Sequence, residues 1–283
     1  MNYLLFNPKS DSGAGKLAAE EKSKSLAERF PNLELIDVTA ESAASFFARI
    51  KDDDVAIISG GDGTLNHLVN DLGGKAPKAK LYLSPAGTGN DFLNDVKDAE
   101  EDGLVLLNPF IDNLPYVEAN GKRMYFLNGV GFGIDGECCR VAEQKIAKGA
   151  KKVDYTSITI KLILLSFKRP NATVRIDDGE AKHYKKVCIA PAMKGHYYGG
   201  GMNVAPTQDR KDGLLTSVVF HGGTRLGTLL RFTKIFTGEH VKFTKYVDLV
   251  RGKKIEVEFD RPCTVQVDGE TIYDVTKYVA YAS

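Results

Sequence analysis

The sequence predicts two architectures in one chain: an α/β domain built on a parallel sheet over residues 1–110, then a mainly antiparallel β-sandwich domain over 111–271. Three observations carry this. Strand-like and helix-like segments alternate through about the first hundred residues, as in right-handed βαβ units. From about residue 104 short alternating strands take over, separated by turn signals such as Asp177-Asp178-Gly179. The 283 residues also exceed the ~100–200 typical of one domain.

Element by element, Tyr3-Leu4-Leu5-Phe6 is an apolar strand that stops at Asn7-Pro8, and residues 16–30 have helical spacing, with Leu17, Leu26 and Phe30 facing a core. Residues 33–38 alternate as a strand, and Thr39 is the expected N-cap of a helix over 40–50. A β-branched run, 55–58, ends at Gly60-Gly61, a helix follows over 65–72, and Leu81-Tyr82-Leu83 reads as strand. In the second half strands are expected at 116–119, 123–127, 172–176, 185–190, 215–220, 254–259 and 264–267, with helices at 137–148, 153–167 and 224–236.

Composition excludes several classes. With 43% hydrophobic residues and 38 Lys+Arg against 37 Asp+Glu, the chain is neither disordered, collagen-like nor a coiled coil. Apolar runs such as Leu162-Ile163-Leu164-Leu165 fall far short of the ~20 residues that span a bilayer. Met1 leads directly into a strand-like segment, so no signal peptide is expected, and the reading is a soluble intracellular protein. Cys138, Cys139, Cys188 and Cys263 have neither zinc-ligand nor disulfide-framework spacing and are expected to be free thiols.

The net charge of +1 hides an asymmetry, −7 over residues 1–110 and +8 over 111–283. Lysines and arginines bunch at Lys145, Lys148, Lys151 and Lys152, at Lys182, Lys185 and Lys186, and at Arg251, Lys253 and Lys254. They favour an anionic partner for the second half. No RNP-type motif or zinc finger accompanies them, so a membrane surface is expected rather than nucleic acid.

Three loops carry chemistry. Gly60-Gly61-Asp62-Gly63-Thr64 follows a buried strand and opens a helix, which puts backbone amides and a helix N-terminus where a phosphate can sit. Pro85-Ala86-Gly87-Thr88-Gly89-Asn90-Asp91-Phe92 follows the next strand in the same way, and Asn7-Pro8-Lys9-Ser10 with Gly13 and Gly15 supplies a third loop at the same sheet edge. Two other glycine patterns fail. Gly13-Ala14-Gly15-Lys16 has Leu17 where a P-loop needs Ser or Thr, and Gly131-Phe132-Gly133-Ile134-Asp135-Gly136 lies outside a βαβ unit.

Taken in order, these loops resemble the catalytic domain of the diacylglycerol kinase family, which includes sphingosine kinases and soluble bacterial lipid kinases. NAD kinases and phosphofructokinases are more distant relatives through the Gly-Gly-Asp-Gly turn. The resemblance continues through Asn128-Gly129-Val130-Gly131-Phe132-Gly133-Ile134-Asp135, Gly199-Gly200-Gly201-Met202, Ala205-Pro206, Asp212-Gly213-Leu214 and Asp268-Gly269-Glu270.

It implies an NAD kinase/phosphofructokinase-like first domain and a sandwich that handles a lipid, with a tail of about 272–283 packing back on the first domain. It also implies an ATP- and Mg²⁺-dependent kinase for a lipid hydroxyl, most simply that of diacylglycerol. Asn7, Thr39, Gly60, Gly61, Asp62, Gly63, Thr64, Leu65, Asn66 and Thr88 would contact the nucleotide. Asp62 and Asp91 would organise a magnesium–water network. Glu270 would accept the proton, a role that sphingosine kinases give to the Asp of the Gly-Asp-Gly turn, here Asp62. Asp209, Asp212 and the carbonyl of Leu214 have the spacing of a second, structural Mg²⁺ site.

A sphingoid base, phosphatidylglycerol, an NAD kinase activity and a non-catalytic nucleotide- or lipid-binding regulator remain the alternatives. The resemblance further implies a homodimer, and a cytoplasmic protein associated peripherally with the inner face of the membrane. Anionic headgroups would be met by a face containing Lys145, Lys148, Lys151 and Lys152.

Overall fold

In the computed structural model, which describes residues 1–8, 13–86, 90–150 and 153–283, the chain divides into two units, Met1–Leu114 and Pro115–Ser283. The first unit carries β1 (Asn2–Phe6), α1 (Gly15–Leu26), β2 (Leu33–Asp37), α2 (Ala43–Arg49), β3 (Val55–Gly60), α3 (Asp62–Asp71), β4 (Lys80–Pro85), α4 (Asp91–Val96), β5 (Glu100–Glu101), β6 (Leu104–Leu106) and α5 (Asn108–Ile111). Its sheet has the order β2-β1-β3-β4-β6-β5. The first four of these strands are parallel, and β6 and β5 close one edge antiparallel.

Central parallel strands are covered on both faces, and this is why β1 and β3 read as continuous apolar runs. Tyr3, Leu4, Leu5, Phe6, Ala56, Ile57 and Ile58 are all buried. The helix expected over 16–30 ends at Leu26, with Leu17 exposed rather than facing the core, and two further boundaries differ from the expectation. Ser42, not Thr39, caps α2, its Oγ accepting the Ser45 N–H at 3.2 Å. Thr39 instead turns back on Asp37, donating both its N–H and its hydroxyl to Asp37 Oδ1 at 2.8 Å. The helix α3 starts at Asp62 rather than at 65, because extended Gly61 occupies the N-cap.

The second unit carries β7 (Tyr116–Ala119), β8 (Lys122–Tyr125), β9 (Gly129–Phe132), α6 (Ile134–Ala147), α7 (Tyr155–Lys161), β10 (Ala172–Ile176), β11 (Lys182–Tyr184), β12 (Ala192–Met193), β13 (Tyr197–Tyr198), β14 (Met202–Asn203), β15 (Leu215–Phe220), α8 (Arg225–Phe232), β16 (Val247–Gly252), β17 (Lys254–Val267) and β18 (Glu270–Tyr281). Most strands join one antiparallel sheet in the order β16-β15-β12-β9-β17-β18-β7-β8, from which β10 and β11 branch through β17. The strands expected at 254–259 and 264–267 are one long strand. Its pairing with β18 shifts register between Glu258 and Cys263, where Pro262 supplies no backbone N–H.

Residues 185–190 form no strand; Ile189 bridges to Gly133 and Phe220, and the Cys188 and Ala190 N–H groups donate to the carbonyls of Phe220 and Phe132. The expected 153–167 helix is α7 continued by a π-turn, Leu162–Ser166. The segment 272–283, expected to pack back on the first domain, belongs to the second unit. Residues 270–281 pair with β17 and β7, and Ile272, Val275, Tyr278 and Ala280 enter that unit's core.

One core lies among β7, β9, β10, β17 and β18, where Phe132 stacks on Phe259 at 3.8 Å. A second fills the space under α6, α7 and α8 with Ile134, Ile158, Ile163, Phe220 and Phe232. All four cysteines are free, as expected. No described helix is long and apolar enough to cross a membrane.

Candidate active site

In the first unit the ends of the parallel strands line up. Phe6 pairs with Asp37 and Ser59, and Gly60 pairs with Pro85, so the segments that follow all four strands start at one edge of the sheet. Asn7, Thr39, Gly60, Gly61, Asp62, Gly63, Thr64, Asn66 and Asp91 are therefore brought to that edge. Thr88, with Gly87 and Gly89, and Ser10 lie outside the described residues.

Asp62 is the hinge of this arrangement. It is the first residue of α3, and its carboxylate reaches the start of α4. There Oδ2 accepts the Asp91 N–H at 2.7 Å and Oδ1 accepts the Phe92 N–H at 3.0 Å. One side chain thus satisfies two of the N–H groups that a helix start leaves orphaned. Phe92, fully buried and edge-on to Phe110 at 5.9 Å, fixes α4 from the other side. Asp91 is buried in the first turn of α4, and both carboxylates are favoured by the helix N-termini they occupy.

The glycines divide by role. A Cβ on Gly60 would lie 2.5 Å from Thr64 Cβ, so packing alone demands glycine there. Nothing lies within 4 Å of a Cβ placed on Gly63, which is exposed. This open backbone at a helix start fits an incoming phosphate. Asn66 is buried, and its Nδ2 has no hydrogen-bond partner among the described residues. The Leu65 side chain belongs to the core, so only its backbone can face a ligand. A carboxylate oxygen can accept more than one hydrogen bond. With Asp91 beside Asp62, the pair fits Mg²⁺ held mainly through waters and phosphate oxygens.

In the second unit Glu270 stands at the tip of the β17–β18 hairpin. Val267 pairs with Glu270 across Asp268-Gly269, a two-residue turn with both central φ positive (46° and 98°). The Asp268 carboxylate accepts the N–H groups of Leu127, Asn128 and Gly129 at 2.6, 3.0 and 2.9 Å. The turn is therefore pinned to the start of β9, and it carries Glu270 as an exposed carboxylate on a rigid mount.

Arg210 completes the surroundings, donating to the Leu127 carbonyl at 2.7 Å and to Asn128 Oδ1 at 2.8 Å. Sequence reasoning missed Arg210, as well as the anchoring role of Asp268. A lone Arg two residues before Asp212 gives no local sign of a partner about 80 positions away. Asp135, the last residue of the motif that begins at Asn128, is buried and accepts the Tyr198 hydroxyl at 2.7 Å. Burial pushes its carboxyl up to about 6, and the Tyr198 hydrogen bond opposes that rise.

The set Asp209, Asp212 and Leu214 does not fit a metal ion as it stands. The Arg251 guanidinium pairs with Asp212 Oδ2, while Asp212 Oδ1 takes the Leu214 N–H at 2.9 Å. The Leu214 carbonyl accepts from Gln208 Nε2 at 3.0 Å, and Asp209 Oδ1 accepts the Lys211 N–H at 2.8 Å. Lys194 lies within electrostatic reach of both carboxylates, its pKa lowered by burial and by Arg210. Cations of the chain supply the charge that Mg²⁺ would bring. No cluster of three or more metal-ligating side chains occurs among the described residues. Chelation with EDTA is accordingly expected to leave the melting temperature unchanged, whereas Arg251→Met destabilises by about 1–2 kcal/mol. A melting temperature lowered by the chelator alone would restore the metal.

Comparison with known proteins bears on the family and the fold. Residues 2–110 match the diacylglycerol kinase catalytic domain, and residues 128–281 match the YegS C-terminal NAD kinase beta sandwich-like domain. A diacylglycerol kinase of Mycobacterium tuberculosis is 28% identical over 270 residues, which cover 90% of this chain and 84% of that protein. A Bacillus anthracis crystal structure superposes with a TM-score of 0.68 at 22% identity, covering 99% of this chain and 91% of that one. A diacylglycerol kinase structure from the same organism gives 0.63 at 18% identity, covering 99% and 93%. These two structures bear on the fold alone. With both of its halves matched in order, the chain belongs to the diacylglycerol kinase catalytic-domain family of lipid kinases.

Proposed function

We propose that this chain moves the γ-phosphoryl group of ATP to the free hydroxyl of diacylglycerol, giving phosphatidic acid and ADP. The observation that carries the reading is the Asp62 carboxylate joining the starts of α3 and α4 beside the open backbone of Gly63. Two helix N-termini held together by one acid suit a polyphosphate with its cation. Asn7, Thr39, the Gly60 to Asn66 turn and Thr88 hold the nucleotide, with Leu65 contributing only backbone. Asp62 and Asp91 would hold Mg²⁺, which when bound would neutralise phosphate charge.

Glu270 takes the hydroxyl proton as the acceptor oxygen bonds to the γ-phosphorus and the bond from that phosphorus to the ADP oxygen breaks. A carboxylate base must come within hydrogen-bond reach of that hydroxyl, and the pinned hairpin limits the freedom lost in doing so.

The test incubates the purified chain with Mg²⁺ and γ-labelled ATP on mixed micelles carrying diacylglycerol, a sphingoid base or phosphatidylglycerol. NAD in solution serves as a fourth acceptor. Label is expected in phosphatidic acid. Label in another lipid would keep the mechanism and change the acceptor, and label in NADP would replace the reading by an NAD kinase. Nucleotide binding with no label in any acceptor would favour a regulator.

A further inference from the structure

The second unit carries an exposed apolar face that the chemistry above does not use. Leu165 on the π-turn is 77% exposed, and Leu226 and Leu230 on α8 are 61% and 63% exposed. The last two stand four residues apart and share one side of the helix. The opposite side, with Thr228 and Phe232, is buried.

The π-turn and α8 are tied together. Arg225 donates to the carbonyls of Ile163 and Phe167 at 2.7 and 3.0 Å, which sets Leu226 next to the turn that presents Leu165. Ile160, one turn earlier on α7, is also exposed. Scattered exposed leucines need no explanation, but a tied group does.

The two segments that form this face are basic. Residues 155–170 and 222–238 contain six Lys or Arg and no Asp or Glu. Two further cations are brought in by the fold. The Gly222 N–H donates to the carbonyls of Lys185 and Lys186, and Arg169, beside Lys168, holds the carbonyls of Gly222 and Gly223. Lys168, Lys185 and Lys186 therefore gather at the turn that leads into α8, and all three are exposed, as is Lys161 beside Ile160. Lys234 lies at the far end, within 3.5 Å of Glu239.

We propose that this face, Leu165, Leu226 and Leu230 ringed by Lys161, Lys168, Lys185 and Lys186, docks on an anionic lipid bilayer, the leucines entering the acyl boundary and the lysines meeting headgroups. The proposal extends the lipid-kinase reading and names the surface through which its substrate is met. Of the residues expected to dock, Lys145 and Lys148 are exposed at the end of α6, and Lys151 and Lys152 lie outside the described residues. The tied leucines, not those lysines, are what single out a membrane-facing side. Each lysine near an anionic leaflet contributes about fivefold in partitioning, and each inserted leucine on the order of tenfold.

The experiment is sedimentation of the full chain with vesicles of phosphatidylcholine, with and without phosphatidylglycerol. Binding is expected only to the anionic vesicles. The triple variant Leu165→Gln, Leu226→Gln, Leu230→Gln should lose about a hundredfold or more, with its melting temperature unchanged because the three side chains are exposed. Lys168→Glu with Lys185→Glu and Lys186→Glu should lose about as much. Phosphorylation of a short-chain, water-soluble diacylglycerol is scored in parallel. If it persists while vesicle binding is unaffected by either variant, the docking face is overturned and the kinase reading stands. If vesicle binding is lost as expected but no acceptor is phosphorylated, the kinase reading falls and the face stands. Equal binding to neutral vesicles overturns the basic ring. A dimer in sedimentation velocity that the leucine variant abolishes, without vesicle binding by the wild type, gives the face to a second copy and overturns the proposal.

Discussion

Glu270→Gln lowers turnover on the lipid acceptor by about 10²–10⁴-fold and leaves both the melting temperature and the KM for ATP near wild type. Glu270 is exposed, and Asp268 pins its hairpin through three backbone N–H groups. The substitution therefore removes a proton acceptor without loosening its mount. Initial rates with saturating lipid, read beside a thermal melt, check it. Asp268→Ala is the companion: it strands three N–H donors at the start of β9 and should lower the melting temperature as well as the rate. Turnover left intact in Glu270→Gln would move the base to Asp62.

Asp62→Asn is expected to strike stability and chemistry together. The amide keeps one oxygen to accept from α4 but turns an NH₂ toward the other backbone N–H, so one charge-assisted hydrogen bond is lost and a repulsive contact replaces it. The cost is about 2 kcal/mol to the first unit. Turnover should fall on the order of 10²-fold or more, since the carboxylate that orders both helix starts and holds the cation's waters is gone. Nucleotide binding measured by calorimetry separates the two effects. A variant that melts as wild type and turns over as wild type would take Asp62 out of both roles.

The difference between these acids explains how much of the site was legible. Asp62 and Asp91 announce themselves because each follows a glycine-rich turn at the end of a strand, and a sheet of βαβ units must bring such turns to one edge. Glu270 announces itself only through resemblance, since an Asp-Gly-Glu hairpin has no chemistry of its own. Thr39 was read as a helix cap from residue type alone. The structure gives that task to Ser42, because Asp37 captures Thr39 first. The family resemblance, not the residues themselves, suggested a metal at Asp209, Asp212 and Leu214, and the structure pairs Asp212 with Arg251, 39 residues further on.

Apolar periodicity, the glycine turns and the change of texture near residue 104 thus determined by themselves that an α/β unit precedes an antiparallel one, and which acids stand at strand ends. Those signals are local, each written within one or two elements. Tertiary structure alone decided what each acid touches: Asp62 on α4, 29 residues away, Asp268 on the start of β9, up to 141 residues away, and the leucines of α8 beside the π-turn. Such pairings are set when strands and helices find their partners across the chain, and no local pattern records which distant backbone group a carboxylate will meet.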